Sequence, residues 1–190
     1  NSFVCTAAYR WTRKPPKTLV PRANVFITLC SIECDFSRPI ASADNEVNRA
    51  FREDFAQWGK ICPRLSIWDY VTNYHHFLAP FPNLDAIVPN VKFFADNGAL
   101  GVFEQAAHTG RGSELVGLRS WVLAKALWDP NLDGRKLIEE FVSGYYGPAA
   151  GHILAFLDAI HEPARTRNDF VMGIYSELNS PHLDPPVLAK

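Results

Sequence analysis

The stretch Val25-Phe26-Ile27-Thr28-Leu29-Cys30-Ser31-Ile32 is nearly continuous in apolar and β-branched residues. That is the pattern of a strand buried on both faces rather than washed by solvent on one, and such strands belong in parallel sheets. From Asn45 the period changes: Val47, Phe51, Phe55 and Trp58 share one face of a helix, leaving Glu46, Arg49, Arg52, Asp54 and Lys60 for the other. Toward the N-terminus, Phe3 to Trp11 reads as a strand. It stops at Arg13-Lys14-Pro15-Pro16-Lys17, which continues neither strand nor helix. Toward the C-terminus, Leu65 to Tyr70 reads as a short strand, followed by a long loop through His75-His76 and Pro80-Phe81-Pro82. A helix is expected to start at Pro89, a first-turn position that proline tolerates, with Val91, Phe94 and Ala95 inward and Gly98 capping its end. Ala99 to Glu104 reads as a further strand, and Ser113 as the N-cap of a helix carrying Glu114 in its first turn and Leu115, Leu118, Val122 and Leu123 on its apolar face. Two more helices are expected, with Leu137, Ile138, Phe141 and Val142 after Asp133, and Ile153, Leu157 and Ile160 after Pro148. Beyond Arg165 no element is assigned.

The order is α/β: about four parallel strands, the later ones each followed by a helix, then helices alone. A doubly wound domain carries a glycine fingerprint after its first strand, whereas residues 13–17 contain no glycine. Half of an eight-stranded (β/α)8 TIM-type barrel fits better, since barrel enzymes gather polar and aromatic residues at strand C-terminal ends. The division is then βα units over 1–128, a helical extension over 129–165 and a tail over 166–190.

The 190 residues, 47% hydrophobic with a net charge of -1, suffice for one globular domain. With 19 Lys+Arg against 20 Asp+Glu there is no general field for a polyanion, which argues against nucleic acid. No apolar run reaches the roughly 20 residues that span a bilayer. Cys5, Cys30, Cys34 and Cys62 lack the two-residue spacing of a zinc or redox pair and read as buried free thiols in preference to a disulfide. Neither a metal nor a cofactor is implied. A chain that starts at Asn1 and runs straight into an apolar segment reads as a piece of something longer.

Carboxylates stand at three strand ends: Glu33 and Asp35, then Asp69, then Glu104. Aromatic residues accompany them, with Tyr9, Trp11, Phe36, Trp68, Tyr70, Tyr74 and Phe103 expected around one mouth. Aromatic faces stack on the C–H faces of a sugar ring and carboxylates accept from its hydroxyls, so a glycan ligand is expected. Cleavage needs two carboxyl groups flanking one glycosidic bond, or one acting beside the substrate's own acetamido group. Spacing alone does not pair them. Each also has a plainer reading as a helix cap or the partner of an arginine. His75-His76 is a poor metal site because adjacent side chains point apart on an extended chain. The loop Gln105 to Ser113, with His108 and Arg111, could place an anion at a helix N-terminus but lacks the ending of a nucleotide loop.

Six blocks occur in one order: Leu29 to Phe36, Ile67 to Tyr74, Pro80 to Leu84, Gly101 to Gln105, Leu127 to Pro130 and Gly144 to Gly147. Together they resemble bacterial proteins carrying domain of unknown function 4838. That group overlaps glycoside hydrolase family 163, whose members are endo-β-N-acetylglucosaminidases acting on complex N-glycans. The resemblance covers about Val4 to Leu157 and implies that the chain is the later, C-terminal half of the barrel. It further implies that the catalytic acid pair sits on an earlier strand, upstream of this segment, with Glu33, Asp69 and Glu104 as fallback candidates. Substrate contacts are then expected from Glu33, Trp68, Asp69, Tyr70, Tyr74, Glu104, Gln105 and His108. Two positions depart from the family pattern: Arg38 stands where histidine is usual before Pro39, and Ala106 where glycine is usual after Gln105.

The expected activity is hydrolysis of an N-acetylglucosamine linkage with retention, assisted by the substrate's acetamido group. The partners are the glycan and the N-terminal half of the barrel, and the implied location is the periplasm or cell surface. Two rivals stand beside it: a non-catalytic carbohydrate-binding domain, and a phosphosugar-handling barrel that uses Thr109 to Ser113. A half barrel also leaves two strand edges unpaired, so the isolated chain is expected to be unstable, dimeric or dependent on its missing half.

Overall fold

The computed structural model describes residues 2–42, 45–107 and 112–188. Its four strands, β1 (Val4–Ala8), β2 (Val25–Cys30), β3 (Leu65–Tyr70) and β4 (Val102–Gln105), form one parallel sheet in the order β1-β2-β3-β4. The order follows the chain without reversal, so the sheet lacks the switch point at which doubly wound domains bind their ligands. Helix α1 (Glu46–Ile61) joins β2 to β3 and α2 (Leu84–Asp96) joins β3 to β4. Then follow α3 (Val116–Trp128), α4 (Gly134–Tyr146), α5 (Ala150–Thr166) and a short α6 (Pro185–Leu188).

Register sorts the side chains into two faces. Ile27 pairs with Leu65, Leu29 with Ile67, and Asp69 with Glu104 on one face; Thr28 pairs with Ser66, Cys30 with Trp68, and Tyr70 with Gln105 on the other. The first face is covered. Its Ile27, Leu29, Leu65 and Ile67 join Phe51, Phe55 and Trp58 of α1 and Phe94 of α2 in one core. The rings of Phe51, Phe55, Phe93 and Phe94 meet at centroid distances from 5.9 to 6.4 Å. Burying each such side chain is worth about 1.5–3 kcal/mol, which makes this face the main source of stability. The second face is largely bare: Cys5 and Ala7 are exposed, Phe26 and Thr28 are half-buried, and Phe103 is 53% exposed. Burial of β2 on both faces, expected from its sequence, is therefore achieved in part: on the second face Cys30 is buried, while Phe26 and Thr28 are half-buried. Another core links Leu84, Val88 and Val91 of α2 with Leu118 and Val122 of α3, Ile138 and Val142 of α4, and Ile160 of α5.

Several local expectations are corrected. Helix α2 begins at Leu84 and encloses Pro89. The lost proline amide weakens one turn. The helix start is held from α5, where buried His161 donates from Nδ1 to the Leu157 carbonyl (2.8 Å) and accepts the Leu84 amide at Nε2 (3.1 Å). Helix α3 begins at Val116, because Glu114 is drawn inward to Arg119 (2.6 Å) and Leu115 enters the left-handed region at φ 43°. Ala95 and Val47 face outward, and α1 instead buries Asn48 and Asp54. Asp54 holds Arg13 at 2.8 Å, and Trp58 Nε1 donates to the Arg13 carbonyl at 2.6 Å, which fastens the β1–β2 connection to α1.

The tail is ordered by the core. Phe170, Met172 and Ile174 are fully buried against the sheet core, and the Phe36 and Tyr74 amides donate to the Met172 and Ile174 carbonyls, both at 2.8 Å. Asp35 fixes this crossing. Its carboxylate accepts the Ser37 and Met172 amides at 2.9 Å and the Asn45 side chain, while Asn48 brackets its backbone on both sides. Asp35 is thus a structural clamp between the β2–α1 loop and the tail.

Candidate functional site

At the C-terminal end of the sheet's bare face lies a cavity of about 430 Å³ lined by Ala7, Tyr9, Cys30, Ile32, Trp68, Tyr70, Tyr74, Gln105 and Tyr175. The strand pleat explains its membership. Cys30, Trp68, Tyr70 and Gln105 all point to the same side by register, and Tyr9, Ile32 and Tyr74 follow directly after the strands. Trp68 packs edge-on against Phe103 at 4.8 Å and donates from Nε1 to Gln105 Oε1 at 2.8 Å. A donor can meet only the oxygen of a carboxamide, so the Gln105 NH2 is left as a donor for a ligand. The Tyr74 hydroxyl donates to the Gln105 carbonyl at 2.6 Å, which locks this strand end. Burial raises the Tyr70 and Tyr74 hydroxyls above the ordinary tyrosine range and pushes the Cys30 thiol up to about 11. All three stay protonated and neutral at physiological pH. Among the described residues no charged side chain lines the cavity.

Asp69 and Glu104 share strand ends with these residues but lie on the opposite, helix-covered face, as register neighbours. Asp69 is 1% exposed and accepts from the Ser31 hydroxyl; Glu104 Oε2 is buried with no hydrogen-bond partner. Loss of solvent raises both carboxyls, Asp69 to about 6 and Glu104 well above the usual range, and each disfavours the charge on the other. Burial thus favours the protonated form of both groups.

The other predicted residues scatter. Glu33 is exposed and paired with Arg13 at 3.1 Å. Trp11 is 96% exposed, Phe36 is a core residue, and neither lines the cavity. His108, with Thr109 to Arg111 of the anion-loop reading, lies outside the described residues. His75 Nδ1 and His76 Nε2 face the Glu177 carboxylate at 3.3 and 3.5 Å. Among the described residues no group of three or more His, Cys, Asp or Glu could hold a metal ion. All four cysteines are free thiols, with Cys5 exposed rather than buried. A second cavity of about 440 Å³ lies between α2 and the α3–α4 connection, where Lys92 already bonds Asp96 and Asn131, and Arg135 already bonds Glu139 and Asp158. Besides Ala7, Cys30 and Ile32, sequence reasoning missed Tyr175, the most distant lining residue in the chain. The alternation Phe170, Met172, Ile174 marks the buried side of this segment, and a turn closed by the Ser176 amide on the Gly173 carbonyl (3.2 Å) carries Tyr175 out of it.

These features define a class: a parallel α/β domain with helices over one face of the sheet and an uncharged aromatic cavity at the strand ends of the other. The family model described as Domain of unknown function (DUF4838) matches residues 1–158, and the chain belongs to that family. No curated protein and no solved structure matches the chain. Among the described residues, no helix is long and apolar enough to cross a membrane.

Proposed function

We propose that the chain is the later half of a (β/α)8 barrel glycoside hydrolase and that its aromatic cavity grips a neutral sugar. The observation that carries this reading is the bare sheet face with Trp68, Tyr70, Tyr74 and Gln105 gathered at the strand ends. A sheet whose order never reverses, with β1 and β4 as open edges, is one that further strands could continue into a barrel. The bare face then becomes the barrel interior and the cavity part of its mouth. Aromatic rings suit the C–H faces of a pyranose, and the Gln105 NH2 suits the carbonyl of an acetamido group. Absence of charge among the described lining residues favours a neutral N-acetylhexosamine over a phosphosugar.

In this reading Trp68, Tyr70, Tyr74 and Gln105 bind substrate, while Asp69 and Glu104 brace the wall from behind. The acid that protonates the leaving oxygen, and the carboxylate that orients the acetamido group for retaining, substrate-assisted hydrolysis, come from earlier strands. A parent enzyme of this kind works on glycans outside the cytoplasm, in the periplasm or at the cell surface. A non-catalytic carbohydrate-binding domain would use the same cavity, and turnover separates the two.

Titration of the chain with the chitobiose core of an N-glycan is expected to show saturable binding that Trp68→Ala abolishes. Incubation of a complex N-glycan with a longer protein that contains residues 1–190 should release cleaved product, with the 190-residue chain inactive. A folded chain that binds no saccharide overturns the reading. Cleavage by the chain alone overturns the assignment of the acid to earlier strands.

A further inference from the structure

We infer that Tyr175 is a ligand-contacting, specificity-determining residue of the cavity, supplied by a C-terminal strap outside the family-matched residues. This rests on the saccharide reading above. The family match ends at residue 158, yet residue 175 lines the cavity together with Trp68, Tyr70 and Tyr74.

The strap is held firmly on both sides of this position. Ile174 is 1% exposed and its carbonyl accepts the Tyr74 amide at 2.8 Å; the Ser176 carbonyl accepts from Asn73 Nδ2 at 2.7 Å. With its neighbours fixed in this way, residue 175 is directed away from the core that takes Met172 and Ile174. Its ring is 45% exposed and stands 6.2 Å from the Tyr74 ring and 5.0 Å from His75. A large aromatic side chain left out of the core, on a rigid backbone, beside an aromatic cavity, is suited to stack on whatever enters. Every anchor of the strap, Asp35, Phe36, Asn73 and Tyr74, belongs to the matched part of the chain, whereas the wall residue does not. The strap can therefore vary its one cavity side chain without disturbing the sheet, which is how a binding site changes its preference while its frame is kept.

The test titrates the chain and its variants with chitobiose and with the N-glycan core, alongside thermal melts. Tyr175→Ala and Tyr175→Leu are each expected to weaken binding about five- to tenfold, the worth of one stacking contact. Tyr175→Phe should stay within about twofold of the unaltered chain, and Val171→Ala, at an exposed strap position away from the cavity lining, should change nothing. Melting temperatures should stay unchanged throughout, because the ring is not part of the core. Unaltered affinity in both Tyr175→Ala and Tyr175→Leu, with Trp68→Ala still abolishing binding, overturns this inference and leaves the saccharide reading intact. Failure of the unaltered chain to bind either sugar overturns both.

Discussion

The two faces of the one sheet are built from alternate residues of the same strands and have opposite fates. Ile67 and Asp69 go into a closed core under α1 and α2, while Trp68 between them stands 37% exposed on the bare side. The closed face is sealed so well that burial raises both carboxyls trapped at its end. The bare face keeps small polar groups, Thr28 and Ser66, at its middle and aromatic rings near its C-terminal end. The core lies on one side and the aromatic cavity on the other, and a single residue of register separates them.

Substitutions that differ only in face should therefore differ widely in cost. The largest effect is expected for Phe94→Ala, about 3–5 kcal/mol by denaturant unfolding, because Phe94 is fully enclosed. Phe103→Ala on the bare side should cost less than about 1 kcal/mol. Equal costs would mean that the bare face is covered in solution, by a second copy or otherwise.

Next comes Asp35→Ala. It strands the Met172 and Ser37 amides and the Asn45 side chain, and about 2–4 kcal/mol should be lost. Proteolysis of the tail should accelerate with it. A variant that unfolds with a loss but keeps its tail protected would remove Asp35 from its role as clamp.

The smallest effect concerns the carboxyl pair. Both groups bind their proton more tightly in the folded chain than in the unfolded one, so their contribution is complete below the ordinary carboxylate range. It is lost as pH rises past about 6 for Asp69, and higher for Glu104. Glu104→Gln is expected to flatten the decline in melting temperature between pH 5 and 8 by a few degrees and to leave the value at pH 5 nearly unchanged. An identical pH slope in the variant would show that the pair is ionised or solvated.

Much of the frame was legible in the sequence because local signals and tertiary packing agree. Asn45 and Asp133 cap α1 and α4, each accepting a first-turn amide, and Leu65–Tyr70 is a strand as read. The parallel arrangement also follows from the pattern. Where local and tertiary terms compete, the reading fails for identifiable reasons. Pro89 is carried inside α2, and the helix start is fixed instead by a histidine three helices further along the chain, which accepts the Leu84 amide. Asp54 looks solvent-facing on a helical wheel but is drawn inward by Arg13, which lies 41 residues away in the chain.

The candidate site was half legible. Trp68, Tyr70, Tyr74 and Gln105 converge as grouped, but Asp69 and Glu104 were assigned to the same mouth although the period of two puts each behind its aromatic neighbour. Tyr175 escaped because its segment makes no ladder or helix of its own. Its conformation is dictated by the loops it crosses.

That crossing makes the cavity sensitive to a break far from its strands. Residues 170–176 supply one partner of the Asp35 carboxylate, the Met172 amide, and one wall of the cavity, Tyr175. A cut between α5 and Phe170 would release that wall while leaving the strands that carry Trp68, Tyr70 and Gln105 joined to the rest of the sheet.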